Sequence, residues 1–150
     1  MASGVKRFTD ATTHLNLAIQ QVPQSTHTAQ EAADAVGAPL AAIVKSLVFI
    51  ADSPILVLVS GANMVDMPTL EAYLGSPCRK ASADEVKNAT GWSIGGVPPF
   101  GHATALRTVM DEDFFVLDTL WAAAGSADSV FPISPARLSE LAAAEIARVS

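Results

Sequence analysis

Apolar positions near the N-terminus, Val5, Phe8, Leu15, Ile19 and Val22 with Thr12 among them, recur at steps of three and four. That spacing predicts an amphipathic helix over residues 1–22, ended before Pro23. Gln24-Ser25-Thr26 reads as a turn. Thr28-Ala29-Gln30-Glu31 has capping-box spacing and opens a short helix that Gly37 closes. Residues 43–50 and 55–60 are dense in β-branched residues and flank Asp52-Ser53-Pro54, which predicts a hairpin. Asp66 caps a helix starting near Pro68 and stopping at Gly75, and Ser82-Ala83-Asp84-Glu85 starts another that ends at Gly91.

Trp92-Ser93-Ile94 then reads as strand-like, residues 105–109 as a strand and residues 111–116 as a helical turn. Residues 119–123 and 130–133 flank the turn Gly125-Ser126-Ala127-Asp128 and predict a second hairpin. Ser134-Pro135 caps a final helix over residues 136–148, with Leu138, Leu141, Ala142 and Ile146 at helical spacing. Strands and helices interleave irregularly, so the expected class is α+β, a central mixed sheet surrounded by helices.

At 150 residues the chain reads as one domain, residues 1–150, without repeats or a linker. Half its residues are hydrophobic, 16% are charged and mean hydropathy is +0.35, which excludes disorder. The longest apolar runs, such as residues 47–51 and 55–59, fall far short of the ~20 needed to span a bilayer. Lys6 and Arg7 are followed by Thr9, Asp10, Thr12, Thr13 and His14 rather than an apolar stretch, so no signal peptide is expected. Alanine-rich helices account for much of the hydropathy.

Fifteen acids against nine bases give a net charge of −6. That balance argues against DNA binding or any bulk grip on nucleic acid, but it allows a local patch. Lys45, Arg79, Lys80, Lys87 and Arg107 lie in the middle of the chain, away from acids such as Asp111-Glu112-Asp113. Cys78 is alone and cannot form an internal disulfide, which fits a cytoplasmic protein. One cysteine and three scattered histidines offer no zinc spacing, so no metal and no cofactor are expected.

Three features could carry chemistry. Lys45 interrupts a strand that is otherwise apolar on both faces, apart from its neighbour Ser46. It is either a snorkelling edge residue or a charge held in a pocket, able to bind an anion or polarise a carbonyl. Residues 95–102, Gly-Gly-Val-Pro-Pro-Phe-Gly-His, cannot continue a helix or strand. They form either a tight corner or a loop aiming backbone N–H groups at a developing oxyanion. His102 closes that loop and reads as pocket lining or as a base with no visible orienting acid, whereas His14 and His27 read as surface or capping residues. Cys78 has no histidine partner, and no Gly-x-Ser-x-Gly elbow occurs.

Taken together, Thr28-Ala29-Gln30-Glu31-Ala32-Ala33 with Gly37, Ile43-Val44-Lys45-Ser46-Leu47-Val48-Phe49, and the loop running from Thr90 to His102 resemble the YbaK/ProX-type prolyl-tRNA editing domain. Gly95 and Pro99 supply its Gly-x-x-x-Pro element, and Trp121-Ala122-Ala123-Ala124-Gly125 with Val130-Phe131 fit its C-terminal part. The resemblance runs from about residue 26 to 141. It implies a partly barrel-like mixed sheet and a free-standing deacylase that hydrolyses the ester of mischarged tRNA, with tRNA(Pro)-type substrates. A synthetase partner is also implied.

On that resemblance Lys45, Gly95, Gly96, Pro99 and Gly101 carry the catalytic site, with Lys45 holding the terminal adenosine or the carbonyl. Ser46, Phe49, Val97, Phe100 and His102 would bind substrate, and the ribose hydroxyl would activate the water. The acidic balance restricts RNA recognition to the acceptor end. The alternatives are a non-catalytic aminoacyl- or nucleotide-binding module and an interaction domain of the same fold.

Overall fold

A computed structural model describes residues 4–22, 28–102 and 104–150. The expected turn at residues 24–26, and His27, lie outside the described residues. Among the described residues, five short helices surround two sheets. Helix α1 (Gly4–Ala11) is followed by a 3-10 turn (Thr13–Leu15) and strand β1 (Gln20–Gln21). Helix α2 (Ala29–Val36) precedes the hairpin β2 (Val44–Ile50) and β3 (Pro54–Ser60). Then come α3 (Met67–Leu74), β4 (Arg79–Lys80) and α4 (Ala83–Thr90). After the glycine-proline loop follow β5 (Arg107–Asp111), a 3-10 turn (Glu112–Val116), β6 (Leu120–Ala123), β7 (Ser129–Ile133), α5 (Pro135–Leu141) and β8 (Glu145–Ala147).

The larger sheet has the order β4-β2-β3-β5-β8, antiparallel across its first three strands and parallel across its last three. The smaller sheet, β1-β7-β6, is antiparallel. An isolated bridge from Ile43 to Trp121 links the two, and among the described residues they do not close into a barrel. The architecture is mixed α+β, as the alternating patterns predict. No helix among the described residues is long and apolar enough to cross a membrane.

Each face of the larger sheet buries its own core. Val44, Val48, Leu56, Leu58 and Met110 face the smaller sheet, while Leu47, Phe49, Ile55, Val57 and Val109 face α3 and Val149. Phe8 is fully buried against Phe131, Phe100 and Trp92, with ring centroids 5.5, 5.7 and 6.3 Å away. Such aromatic pairs add to the area they bury. The caps read from sequence are in place: Thr28 Oγ1 accepts from Glu31 N–H, Asp66 caps α3, and Ser82 with Glu85 forms a reciprocal box.

Four expectations need correction. The N-terminal helix stops at Ala11, because Thr12 and Thr13 turn their hydroxyls back onto the carbonyls of Phe8 and Thr9, and Asn16 adopts the left-handed region. Trp92-Ser93-Ile94 is not a strand: Gly96 N–H closes a turn on Ser93 C=O, and Trp92 Nε1 donates to Gly4 C=O at 3.0 Å. The strand expected at residues 105–109 begins at Arg107 and extends to Asp111. The final helix ends at Leu141, with Ala143 at φ 48°, and Ile146 belongs to β8, paired with Met110.

Candidate active site

A cleft of about 520 Å³ opens along the outer edge of β2. Strand β4 pairs only with Phe49 and Ile50, and the bridge to Trp121 engages Ile43. Between them, no named strand pairs with this edge among the described residues. Val48 C=O accepts from Ala81 N–H on that side at 3.0 Å. Strand alternation therefore turns the main-chain N–H and C=O of Ser46 toward the cleft as well. The Ser46 hydroxyl also lines the cleft, and its Oγ is buried without a hydrogen-bond partner.

Apolar side chains dominate the walls: Val86 of α4, Val97 of the loop, and Trp121 and Val130 of the smaller sheet. Polar groups are few. Thr28, Ser126 and Ser129 contribute hydroxyls, and Lys45 and Lys80 contribute cations. Ser126 donates to Asp128 Oδ1 at 2.6 Å and lies 2.7 Å from Ser129 Oγ, which fixes both hydroxyls. That bond is the main reason the Asp128 carboxyl titrates below its ordinary range. No carboxylate or imidazole lines the cleft among the described residues.

Lys45 lies on the face of β2 opposite Ser46, and its ammonium donates to the Asn63 carbonyl at 2.5 Å. Asn63 in turn donates to Asp113 Oδ2 and Ser150 Oγ. Burial, followed by the nearby charge of Lys80, pushes the Lys45 pKa below its ordinary value. This is a half-buried cation whose partner is a carbonyl dipole rather than an opposite charge.

The glycine-proline loop is fixed from below. Val97, Pro98, Pro99 and Phe100 are buried, and Phe100 packs against Phe8 and Phe131. His102 Nε2–H donates to Pro98 C=O at 2.7 Å, and its ring meets Trp92 edge to face. Burial lowers the His102 pKa, partly offset by that hydrogen bond. Gly96 touches the Ser126 backbone so closely that a Cβ would lie 2.7 Å from Ser126 Cα.

The cleft therefore gathers Lys45, Ser46, Gly95 and Val97 from two separate stretches of sequence. Phe49 does not join them: it lies where β4 covers the edge of β2, paired with Lys80, and its ring is buried in the core against α3. Pro99, Phe100, Gly101 and His102 lie outside the cleft lining and brace the loop, and Gly96 faces a neighbouring groove. Lys80, Ser126 and Ser129 were not singled out from sequence as site residues. Their only signals were a basic residue ahead of the second capping box and a hydroxyl-rich hairpin turn. The Cys78 thiol is pushed up by burial and then by Glu71, which disfavours a thiolate nucleophile.

The profile of the aminoacyl-tRNA editing domain matches residues 23–141. The uncharacterized protein YwhH of Bacillus subtilis (strain 168) is 32% identical over 130 residues, covering 85% of this chain and 83% of that protein. A crystal structure of a candidate trans-editing enzyme for prolyl tRNA synthetase superposes with a TM-score of 0.95 at 39% identity, covering 100% of this chain and 98% of that one. The hypothetical protein APE2540 superposes with a TM-score of 0.86 at 26% identity, covering 98% and 99%. With a cleft of this form beneath a match spanning most of its length, the chain belongs to the aminoacyl-tRNA editing domain family.

Proposed function

We propose that this domain is a trans-acting deacylase that hydrolyses the ester joining a wrongly attached amino acid to tRNA, with tRNA(Pro)-type substrates. Family membership supports the editing role, and the similar structure described for prolyl tRNA synthetase supports the choice of tRNA. One observation carries the chemistry. Lys45 and Ser46 of β2 share a cleft with Gly95 and Val97 of the loop, and no carboxylate or imidazole stands among its described lining residues.

A cleft so furnished lacks a protein base but can stabilise charge. In the proposed step, water adds to the ester carbonyl carbon and the carbonyl oxygen becomes an oxyanion. Collapse breaks the bond to the ribose oxygen, which takes one proton of the water, and the freed amino acid's carboxyl group releases the other to solvent as it ionises. The vicinal ribose hydroxyl of the substrate orients and activates that water. Lys45 supplies positive charge at the terminal nucleotide or carbonyl, and the loop backbone near Gly95 faces the developing oxyanion. The apolar walls receive the amino-acid side chain. A difference of one methylene there is worth only ~1–3 kcal/mol, so the sieve sorts by size with limited power.

The test is deacylation of a panel of mischarged tRNAs by wild type and by Lys45→Ala. The expected result is hydrolysis by wild type and its collapse in the variant. If wild type cleaves none of them but binds an aminoacyl-adenosine analogue, the domain is a binding module instead.

A further inference from the structure

A second groove, more open and of about 670 Å³, lies behind the glycine-proline loop. It shares Ile94, Ser126 and Ala127 with the candidate active site, so the two are separated only by that ridge. Arg7 of α1 and Lys87 of α4 line it, and no carboxylate does so among the described residues. Arg7 is held in place: its guanidinium donates to Gly91 C=O at 2.7 Å and sits 4.9 Å from the Trp92 ring centroid. The floor is rigid because Gly4 and Gly125 meet backbone to backbone, leaving no room for a Cβ on either.

The distribution of charge gives this groove its meaning. Lys6, Arg79 and Arg107 form ion pairs with Asp10, Glu85 and Glu145. The four cations lining the cleft and the groove, Lys45, Lys80, Arg7 and Lys87, have no carboxylate partner among the described residues. Of the six basic side chains outside these three ion pairs among the described residues, four thus lie along one path in a chain of net charge −6, while Arg137 and Arg148 bond main-chain carbonyls elsewhere. Ile94, 59% exposed, stands on the ridge between its two halves. An anionic polymer that also offers flat apolar faces matches this path, whereas an acidic peptide would leave the exposed isoleucine without a planar partner.

Resting on the deacylase reading, we infer that the groove lined by Arg7 and Lys87 holds the phosphates of the single-stranded RNA just 5′ of the terminal nucleotide, with Ile94 supporting a base at the ridge. The acceptor strand would enter over α1 and α4 and deliver its last nucleotide to the Lys45 cleft.

Binding of an uncharged RNA hairpin with a single-stranded 3′ end, followed by fluorescence anisotropy at several salt concentrations, tests this. Wild type is compared with Lys87→Gln, Lys87→Glu and Arg7→Gln, and with Arg148→Glu as a charge control outside both linings. The groove predicts that Lys87→Glu weakens binding about tenfold. It also predicts that each neutralised cation lowers the salt slope by about 0.7. Trimming the single-stranded end should abolish the difference between wild type and the Lys87 variants. The inference is overturned if wild type does not bind the RNA, if the Lys87 variants match wild type, or if Arg148→Glu weakens binding as much as Lys87→Glu. Because Lys87 sits on the surface of a capped helix, its variants keep the test valid should Arg7→Gln disturb α1. Uncharged RNA separates the two readings. Groove-dependent binding without cleavage of charged tRNA sinks the deacylase alone, and cleavage with groove-insensitive binding sinks the groove alone.

Discussion

The ammonium of Lys45 rests against the main-chain carbonyl of Asn63, 2.5 Å away, at the end of the β2–β3 hairpin. The lysine is thereby oriented without being neutralised, since a carbonyl offers a dipole and leaves the net charge in place. Asn63 is itself held by Asp113 and Ser150. Replacing Lys45 by Met should keep the fold, because the stem already packs within the sheet, while deacylation falls by ~10²–10³ as for loss of one charge-stabilising group. Thermal melting and single-turnover deacylation of the same preparation check both halves.

Lys45 also predicts an alkaline signature. Its pKa is lowered on folding by burial and by Lys80, so between the folded value and the ordinary 10.5 the unfolded chain binds more protons. Stability contributed by this group therefore rises with pH through that window. Denaturant titrations across the alkaline range should show this rise in wild type and a flatter profile in Lys45→Met.

His102 behaves in the same sense at lower pH. Its folded pKa lies below 6.5 because the ring is buried. As pH falls below 6.5 the unfolded chain gains a proton first, and stability declines until the folded pKa is reached. A His102→Gln variant should lose this decline. Its deacylation should drop by far less than the ~10²–10⁴ that removing a general base costs, because the ring lies outside the cleft lining. Unfolding between pH 5 and 7 and a pH–rate profile, taken side by side, decide the matter.

Two glycines in the loop separate space from conformation. At Gly96 a Cβ would lie 2.7 Å from Ser126 Cα, with no flexible side chain to yield, so Gly96→Ala should cost about 1–3 kcal/mol and disturb the cleft. At Gly95 the space is open and only the positive φ of 93° resists, so Gly95→Ala should cost about 1–2 kcal/mol. Denaturant melts of both variants test the order, which fails if Gly95→Ala proves the more damaging.

Helix α4 carries a stability prediction independent of activity. Glu85 is held at about 2 by its bond to Arg79, with further help from Ser82 N–H. Its contribution is present above the ordinary carboxylate range and is lost as pH falls toward 2. Ser82→Ala should cost about 1 kcal/mol at neutral pH. Helical signal against denaturant at pH 7 and pH 3 provides the check.

Local chemistry made much of this fold legible. Capping residues at Thr28, Asp66, Ser82 and Ser134, and closing glycines at Gly37, Gly75 and Gly91, act within a few residues of themselves and mark the helices directly. Strands β1, β4 and β8, of two or three residues, escaped because so short a segment has no period and exists only through its partner strand. At the site, Lys45 stood out as a charge in an apolar strand, but the bracing role of Phe100 and His102 depended on contacts with Phe8, Phe131 and Trp92, which no spacing encodes. Phe49 shares a face of β2 with Lys45 but lies outside the cleft lining, because β4 pairs over that part of the strand edge, which residue spacing alone does not show.

The open edge of β2 has a consequence for observing the protein at work. An unpaired strand edge ordinarily invites association with another chain, yet here it is recessed within a cleft. The Ser46 amide, turned toward that cleft and lacking a strand across from it, should exchange its hydrogen for deuterium faster than its neighbours Lys45 and Leu47, which point into the hairpin. Occupation of the cleft should slow that single amide, making it a built-in reporter of when a substrate has arrived.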